Sequence, residues 1–274
     1  MQQSVRNHPG LGTVHCLEHF PPDSDEALLF IPGNPGLVDF YRPFFSELLR
    51  LKPRLTILAH AHLGHTPGYP ATEHSLSAQV QSAIEAFDEL YHSTKLKPII
   101  AAHSVGSWVA LQVLKARPKQ VAQVQLLFPT ITHIVKTPNG RRLSWLFKSP
   151  MPWIVSWLSY LARPIPLSVL FRHWPASQVR VIQSLVHSPS AIYACLCMAD
   201  EEMKTIRELD ELLLTEHIDK LVFVFGANDD WVSEQQPAIV DAVGEARVVD
   251  VEAPHAFCIA DIDSRAVAAV CASA

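Results

Sequence analysis

The stretch at residues 99–108, IIAAHSVGSW, carries the side chain best placed to do chemistry. Its apolar run stops at a serine, Ser104, and apolar residues at helical spacing begin directly after it. This order predicts a strand, a sharp turn and a helix. Small residues two positions before and after the serine, Ala102 and Gly106, suit the strained backbone of a nucleophile elbow. Ser104 is therefore a candidate nucleophile, and the alternative is an ordinary strand-to-helix turn.

Two downstream loops supply the groups that an elbow serine needs. A serine hydroxyl is a weak nucleophile near neutral pH, so an imidazole must take its proton and an acid must orient that imidazole. In elbow hydrolases the acid and then the histidine follow the serine along the chain. The apolar run 221–225 leads into a loop where we expect Asp229 to be the acid, with Asp230 as the alternative. His255 follows the run 246–251 and precedes a C-terminal helical pattern, so we expect it to be the base.

Acyl transfer also requires backbone donors aimed at the developing oxyanion. The residue after the nucleophile usually supplies one, which makes Val105 a candidate. The breaker-rich loop 32–36, PGNPG, follows an early strand and is the expected source of the second. Pro35 has no N–H, so we expect the N–H of Asn34 to donate, with Gly33 allowing close approach. The alternative is a plain turn built on proline and glycine.

The elements that must position these groups alternate between strands and helices. Short apolar runs predict buried parallel strands, and a weakly alternating segment at residues 13–20 predicts an edge strand. Helical periodicity lies between them, as at residues 75–91. We therefore expect an α/β fold with a mostly parallel sheet and helices on both faces. The predicted strands cover residues 13–20, 27–31, 55–59, 98–102, 121–128, 221–225 and 246–251.

A helical cap is expected between the strand ending near Phe128 and the strand beginning at Leu221. Roughly ninety residues lie there, several times what one crossover helix needs. We therefore assign residues 1–137 and 208–274 to the core and residues 138–207 to the cap. The cap contains an apolar helical stripe that includes Trp153 and Trp157, and it is too short between its flanking prolines to span a bilayer. The stripe suits a lid or a membrane-interface helix, and the alternative is packing on the sheet.

Composition narrows the class further. The chain has 274 residues and a formal charge of −5, so we expect no nucleic-acid partner. Five scattered cysteines, an odd number, favour a reducing compartment. The histidines around residues 60–74 match no standard ligand set, so we expect neither a metal nor a cofactor. The first residues lack the apolar core of a signal peptide, so we expect a cytoplasmic protein or one on a membrane surface that faces the cytosol.

Six short motifs occur in order along most of the chain. They are IPGNPG at residues 31–36 with FY at 40–41, AHSVG at 102–106, LFPTI at 127–131, PNG at 138–140, GANDDW at 226–231 and PHAF at 254–257. Together they resemble the lipid droplet-associated hydrolase family, with Ala102 standing where that family has glycine. The resemblance implies an α/β-hydrolase fold, a triad of Ser104, Asp229 and His255, and a lipid or sterol-ester substrate. It also implies attachment near lipid droplets or membranes, with the lipid droplet and endoplasmic reticulum surfaces as candidates.

Three hypotheses about function follow. The first is a serine hydrolase that cleaves carboxylic esters of apolar, lipid or sterol-like substrates through an acyl-enzyme. The second keeps the triad but assigns a soluble esterase, lactonase or thioesterase of specialised metabolism. The third is a protein that binds a membrane or droplet surface and retains weak or vestigial hydrolase activity.

Overall fold

A single eight-stranded sheet organises the residues that the computed structural model describes, 1–71, 74–232 and 234–274. Its strand order is β1-β2-β4-β3-β5-β6-β7-β8. The pairs β1–β2 and β2–β4 are antiparallel, and the other five pairs are parallel. The strands are β1 (Gln2–His8), β2 (Gly12–His19), β3 (Glu26–Ile31), β4 (Leu55–His60), β5 (Ile99–His103), β6 (Gln123–Leu127), β7 (Leu221–Gly226) and β8 (Val248–Val251).

Helices connect the parallel strands, as the alternating sequence pattern predicts. The longest, α2, has helical periodicity in its apolar residues and buries that face. The helices are α1 (Arg42–Leu51), α2 (Leu76–Thr94), α3 (Val105–Ala116), α4 (Pro138–Phe147), α5 (Met151–Ala162), α6 (Leu167–Leu170), α7 (Ala176–Val186), α8 (Pro189–Thr205), α9 (Glu211–Glu216), α10 (Gln236–Val243) and α11 (Asp261–Ser273).

The apolar runs became central strands because both faces of a parallel sheet are covered. All six residues of β4 and five of the six in β3 are buried. Phe30 of β3 packs against the rings of Phe44 and Phe45 from α1, with ring centroids 5.5 and 5.0 Å apart. This packing fixes the end of β3, from which the 32–36 loop departs toward the serine.

The prediction that residues 13–20 form an edge strand is wrong. Strand β2 lies between β1 and β4, and β1 occupies the edge. The polar sequence of β1 gave no hydrophobic signal because most of its side chains are at least partly exposed. An exposed edge strand gains its stability from backbone pairing, which apolar periodicity does not report.

Helices α4 to α9 lie between β6 and β7, which confirms a helical insertion there. The division of the chain into a core and a cap at residues 138 and 207 stays a prediction. Among the described residues no single helix has the length and apolar character needed to cross a membrane. The pair α7 and α8 meets that criterion only jointly, and it is bent by 89°.

Gly106 is the position where the turn after β5 tolerates no side chain. A Cβ there would lie 2.5 Å from the carbonyl oxygens of both Ile31 and Pro32. We expect Gly106→Ala to lower the free energy of unfolding by about 3 kcal/mol, because overpacking against backbone forces the strand and helix apart. Denaturant unfolding measures the change.

Ala116→Ser is the matched control for this substitution. It adds one heavy atom at an exposed position of the same helix, α3, and its effect should stay within about 0.5 kcal/mol. Equal stability of the Gly106→Ala variant and the wild type would contradict the steric account of the turn.

Candidate active site

Ser104 lies at the turn between β5 and α3, near the middle of the sheet. Its backbone has φ 55° and ψ −125°, a conformation that residues other than glycine rarely adopt. Its N–H donates to the Leu127 carbonyl, and its own carbonyl accepts from the N–H of Ser107. The strained turn persists because β5 and α3 fix its two ends. This conformation places the Ser104 hydroxyl above the end of β5.

Three predicted side chains meet in one hydrogen-bonded row. His255 Nε2 lies 3.0 Å from Ser104 Oγ, and His255 Nδ1 lies 2.7 Å from Asp229 Oδ2. The carboxylate accepts from Nδ1–H, which leaves Nε2 of a neutral ring free to accept the serine proton. The row can therefore raise the nucleophilicity of the hydroxyl and stabilise the imidazolium that forms.

The structure distinguishes between the two adjacent acids. Asp229 is only 3% exposed, and its second oxygen accepts from the N–H of Trp231 at 2.9 Å. Asp230 is exposed, and its described contact is through its backbone carbonyl, which accepts from the N–H of Asn139. The preceding residue, Asn228, has φ 57°, which turns the chain so that Asp229 faces inward. Asp229 is thus the acid that meets His255.

The 32–36 loop passes directly beside the serine. A Cβ on Gly33 would lie 2.9 Å from the Cβ of Ser104, so only glycine permits this approach. Asn34 lines the same cavity as Ser104. Among the hydrogen bonds of the described residues, none uses the N–H of Asn34 or of Val105. In the described part of the chain both N–H groups thus lack a hydrogen-bond acceptor, and their assignment as oxyanion donors stays a prediction.

Buried histidines support this loop. His62 Nε2 donates to the Pro32 carbonyl at 2.9 Å, and His65 Nδ1 donates to the Pro35 carbonyl at 2.9 Å. Burial lowers the pKa of His62 to about 4 and that of His65 well below its ordinary value, so both rings are neutral near pH 7. Two of the histidines between residues 60 and 74, His62 and His65, thus serve as hydrogen-bond donors to the 32–36 turn.

A second buried hydrogen-bond network connects the 32–36 loop to the backbone of His255. His103 Nε2 lies 2.9 Å from the His255 carbonyl, its Nδ1 lies 2.8 Å from the Tyr41 hydroxyl, and that hydroxyl lies 3.1 Å from the N–H of Gly33. A carbonyl can only accept, so His103 must donate from Nε2. Burial, aided by nearby His255, lowers the pKa of His103 well below its ordinary value, so Nδ1 accepts from Tyr41. The tyrosine oxygen then accepts from Gly33.

Ser104 and His255 open into a cavity of about 320 Å³. Helix α8 supplies much of its wall, and the side chains are predominantly apolar. The polar lining residues are Asn34, Ser104, Thr130, Glu202 and His255. Glu202 is a buried carboxyl whose pKa burial raises to about 7. The apolar lining residues are Pro35, Ile134, Phe147, Leu185, Ile192, Cys195, Leu196, Ala199, Met203 and Trp231.

Sequence reasoning missed Tyr41, His103 and Glu202. His103 directly precedes Ser104, and Tyr41 lies in the FY motif shortly after the 32–36 loop. Their positions beside these two site segments were a usable signal. Glu202 lies on a cap helix 98 positions beyond Ser104, and no local pattern marks it. Only the packing of α8 over the sheet brings it to the site.

The fold and site define the α/β-hydrolase class: an elbow serine after β5, an acid after β7 and a histidine after β8. The sequence profile described as lipid-droplet associated hydrolase matches residues 24–258, and the chain belongs to that family. It is therefore a hydrolase.

Curated relatives agree along most of the chain. The lipid droplet-associated hydrolase of Homo sapiens is 29% identical over 264 residues, covering 84% of this chain and 79% of its own length. The protein of the same name from Dictyostelium discoideum is 24% identical over 253 residues, covering 85% and 83%.

Solved structures show the same fold at low sequence identity. A haloalkane dehalogenase loop variant from Bradyrhizobium elkanii has a TM-score of 0.72 at 13% identity, covering 99% of this chain and 96% of its own. The thioesterase domain from the curacin biosynthetic pathway has a TM-score of 0.69 at 14% identity, covering 100% and 99%. The likeness extends to the fold alone.

The Tyr41 hydroxyl is expected to contribute to stability through its buried network. Tyr41→Phe leaves His103 Nδ1 and the N–H of Gly33 without partners, and we expect a loss of about 2 kcal/mol in the free energy of unfolding. Denaturant unfolding checks this value.

Tyr160→Phe removes a hydroxyl from a ring that is 44% exposed and should change stability by less than about 0.5 kcal/mol. If both variants unfold at the same denaturant concentration, the buried network contributes nothing measurable.

Proposed function

We propose that this protein hydrolyses carboxylic esters with apolar acyl or alcohol parts. The observation that carries the proposal is the row formed by Ser104, His255 and Asp229, with hydrogen-bond distances of 3.0 and 2.7 Å. Such a row gives a hydroxyl the reactivity that acyl transfer requires. Membership in a hydrolase family supports the reaction type.

In the proposed reaction Ser104 Oγ attacks the ester carbonyl carbon while His255 Nε2 takes its proton. The tetrahedral intermediate collapses as the imidazolium gives that proton to the leaving alcohol, and an acyl-serine remains. Water then attacks the acyl-serine while His255 Nε2 takes its proton. As the second tetrahedral intermediate collapses, the imidazolium returns that proton to Ser104 Oγ, and the carboxylic acid leaves. Asp229 holds the imidazole and stabilises its positive form throughout.

The oxyanion is assigned to the N–H groups of Val105 and Asn34. Val105 begins α3, so the positive end of the helix dipole adds to its donor. Asn34 lines the cavity on the loop that Gly33 brings against Ser104. Donors fixed before reaction need no reorganisation when charge develops, which is why they accelerate the step.

The cavity supports an apolar substrate. Its wall beside Ser104 is built mainly from aliphatic and aromatic side chains of α8 and neighbouring cap elements. Burying each methylene of a substrate chain there contributes about 0.8 kcal/mol. We therefore assign the substrate class to esters of lipid or sterol-like character, ahead of polar esters and lactones.

Ser104→Ala should abolish labelling by a fluorophosphonate probe and lower kcat on p-nitrophenyl esters by four to six orders of magnitude, about the loss seen when a catalytic serine is removed. Gel fluorescence and initial-rate measurements report the two effects.

Ser184→Ala is the control, since Ser184 is exposed on α7 and donates to the Val181 carbonyl. It should be labelled and active like the wild type. Undiminished labelling of Ser104→Ala would exclude Ser104 as the nucleophile. Background activity of the wild type across esters of increasing chain length would favour a vestigial site.

The outer face of α5 supports a second proposal, that the protein attaches to a lipid surface. This helix buries Pro152, Ser156 and Ser159 and exposes large apolar side chains, the reverse of an ordinary surface helix. The exposed set continues past α6 and comprises Trp153, Trp157, Leu158, Tyr160, Leu161, Ile165, Val169 and Leu170. We call this set the α5–α6 face.

Its borders suit an interface between water and lipid. Lys148, Arg163 and Arg172 are exposed at its edges, and the Arg163 guanidinium lies 4.5 Å from the Tyr160 ring centroid. Tryptophan and tyrosine are favoured at lipid headgroup depth, and basic side chains attract anionic headgroups. Because α5 packs on α8, whose other side lines the cavity, binding through this face would place the substrate's source beside the active site.

We expect the double substitution Trp153→Ser and Trp157→Ser to weaken binding to phospholipid-coated triacylglycerol emulsions at least tenfold, because two interfacial aromatic anchors are lost. Hydrolysis of a water-soluble short-chain ester should stay unchanged. Flotation and initial rates measure the two quantities.

The matched control is Leu212→Ser with Ile262→Ser, which removes two side chains that are 82% and 77% exposed on α9 and α11. It should float like the wild type. Equal flotation of both double variants would exclude the α5–α6 face as the attachment site, and a wild type that never floats would favour the soluble esterase.

A further inference from the structure

Glu202 is a buried carboxyl in a cavity whose lining is mainly apolar. It is 7% exposed, it comes from α8 of the cap, and it lines the cavity that Ser104 and His255 share. The proposed acyl transfer gives it no chemical task. A buried carboxyl destabilises a fold unless it is paired, so the presence of Glu202 in this cavity needs a physical explanation. We propose that Glu202 is a positioning residue: through the Asn34 side chain it holds the 32–36 loop, which carries the proposed oxyanion donor.

The contacts that carry this proposal converge on one amide group. Asn34 Nδ2 lies 2.9 Å from Glu202 Oε1 and 2.9 Å from the carbonyl oxygen of Cys195. An amide nitrogen has two protons, so these acceptors use both of its donors. Both acceptors belong to α8, while Asn34 belongs to the loop after β3. Helix α8 therefore holds the 32–36 loop through the Asn34 side chain, and the Asn34 backbone N–H makes no hydrogen bond within the described residues.

Fixing the side chain fixes the direction of that N–H. Asn34 is one residue beyond Gly33, whose N–H donates to Tyr41, and one residue before Pro35, whose carbonyl accepts from His65. With the Asn34 amide held as well, three consecutive residues are tied to surrounding elements. A donor held in this way can meet a developing oxyanion without rearrangement, which is the condition for electrostatic stabilisation.

Hydrogen bonding to Asn34 opposes the burial that raises the Glu202 pKa, and the pKa settles at about 7. The carboxyl can accept from Asn34 in either protonation state, because even the protonated group keeps a carbonyl oxygen. The bond needs an acceptor oxygen and does not need a negative charge. A glutamine, whose amide oxygen also accepts, should therefore replace glutamate, and alanine should not.

The inference rests on the proposed function, and a double-mutant cycle tests it. The variants are Glu202→Ala, Glu202→Gln, Asn34→Ala and the Glu202→Ala/Asn34→Ala pair. The control is Glu216→Ala, at an exposed site on α9. Each is assayed for kcat and KM on a water-soluble p-nitrophenyl ester, and for inhibition by an alkyl trifluoromethyl ketone, whose serine adduct bears an oxyanion.

Glu202→Ala should lower kcat and trifluoromethyl ketone affinity by about ten- to one-hundredfold, with KM within about threefold of the wild type. Asn34→Ala also removes the bond to the Cys195 carbonyl, so it should cost at least as much as Glu202→Ala. The pair should cost no more than Asn34→Ala alone, since Glu202 acts through the Asn34 side chain. Glu202→Gln should recover kcat to within about threefold. Glu216→Ala should match the wild type.

Several outcomes would overturn the positioning role. These are a Glu202→Ala variant with wild-type kcat, losses that multiply in the pair, or a change confined to KM, which would make Glu202 a substrate contact. If Glu202→Ala does not fold by circular dichroism, Asn34→Ala and Glu202→Gln decide, and wild-type inhibition of Asn34→Ala excludes the role. An inactive wild type that resists labelling defeats the proposed function instead.

Discussion

The backbone strain at Ser104 is the constraint on which the rest of the site depends. A serine at φ 55° persists only because β5, α3 and the end of β3 hold it from three sides. The space for the turn is set by Gly106, where the Ile31 and Pro32 carbonyls leave no room for a Cβ. The close packing of Gly106 on the Ile31 and Pro32 carbonyls thus both confines the turn at Ser104 and brings the loop with Asn34 beside it.

Polar groups buried around this turn explain why the site keeps one geometry. Gly33, Tyr41, His103 and the His255 carbonyl form a chain in which each donor has one acceptor. In a low-dielectric interior an unpaired member costs more than the bond itself contributes, so alternative arrangements are strongly disfavoured. This chain ties the loop after β3 to the loop after β8, which are 222 positions apart at Gly33 and His255. The placement of His255 relative to the loop that carries Asn34 is thereby set by hydrogen-bond pairing.

The cap has apolar surfaces of two kinds. Helix α8 faces the cavity with side chains that suit a hydrocarbon substrate, together with one carboxyl tied to the loop. Helix α5 lies against α8 and turns its aromatic residues outward, while its serines face inward. A protein that worked only in water would gain stability by the reverse arrangement. The inversion is physically sensible if the outer face meets an apolar phase and the inner face receives molecules from it.

Local pattern predicted seven of the eight strands and several helices, among them α2, α3 and α11. It also marked Ser104, Asp229 and His255 as candidates, because apolar periodicity and chain order act within short stretches. Strand β1 escaped it, since an exposed edge strand has no apolar signal. The choice of Asp229 over Asp230 required the turn at Asn228, which directs one of two adjacent carboxyls inward. Only tertiary structure brought Glu202 to Asn34 and turned the tryptophans of α5 outward. Both depend on how the cap packs over the sheet, and contacts between residues so distant in sequence leave no mark in any local pattern.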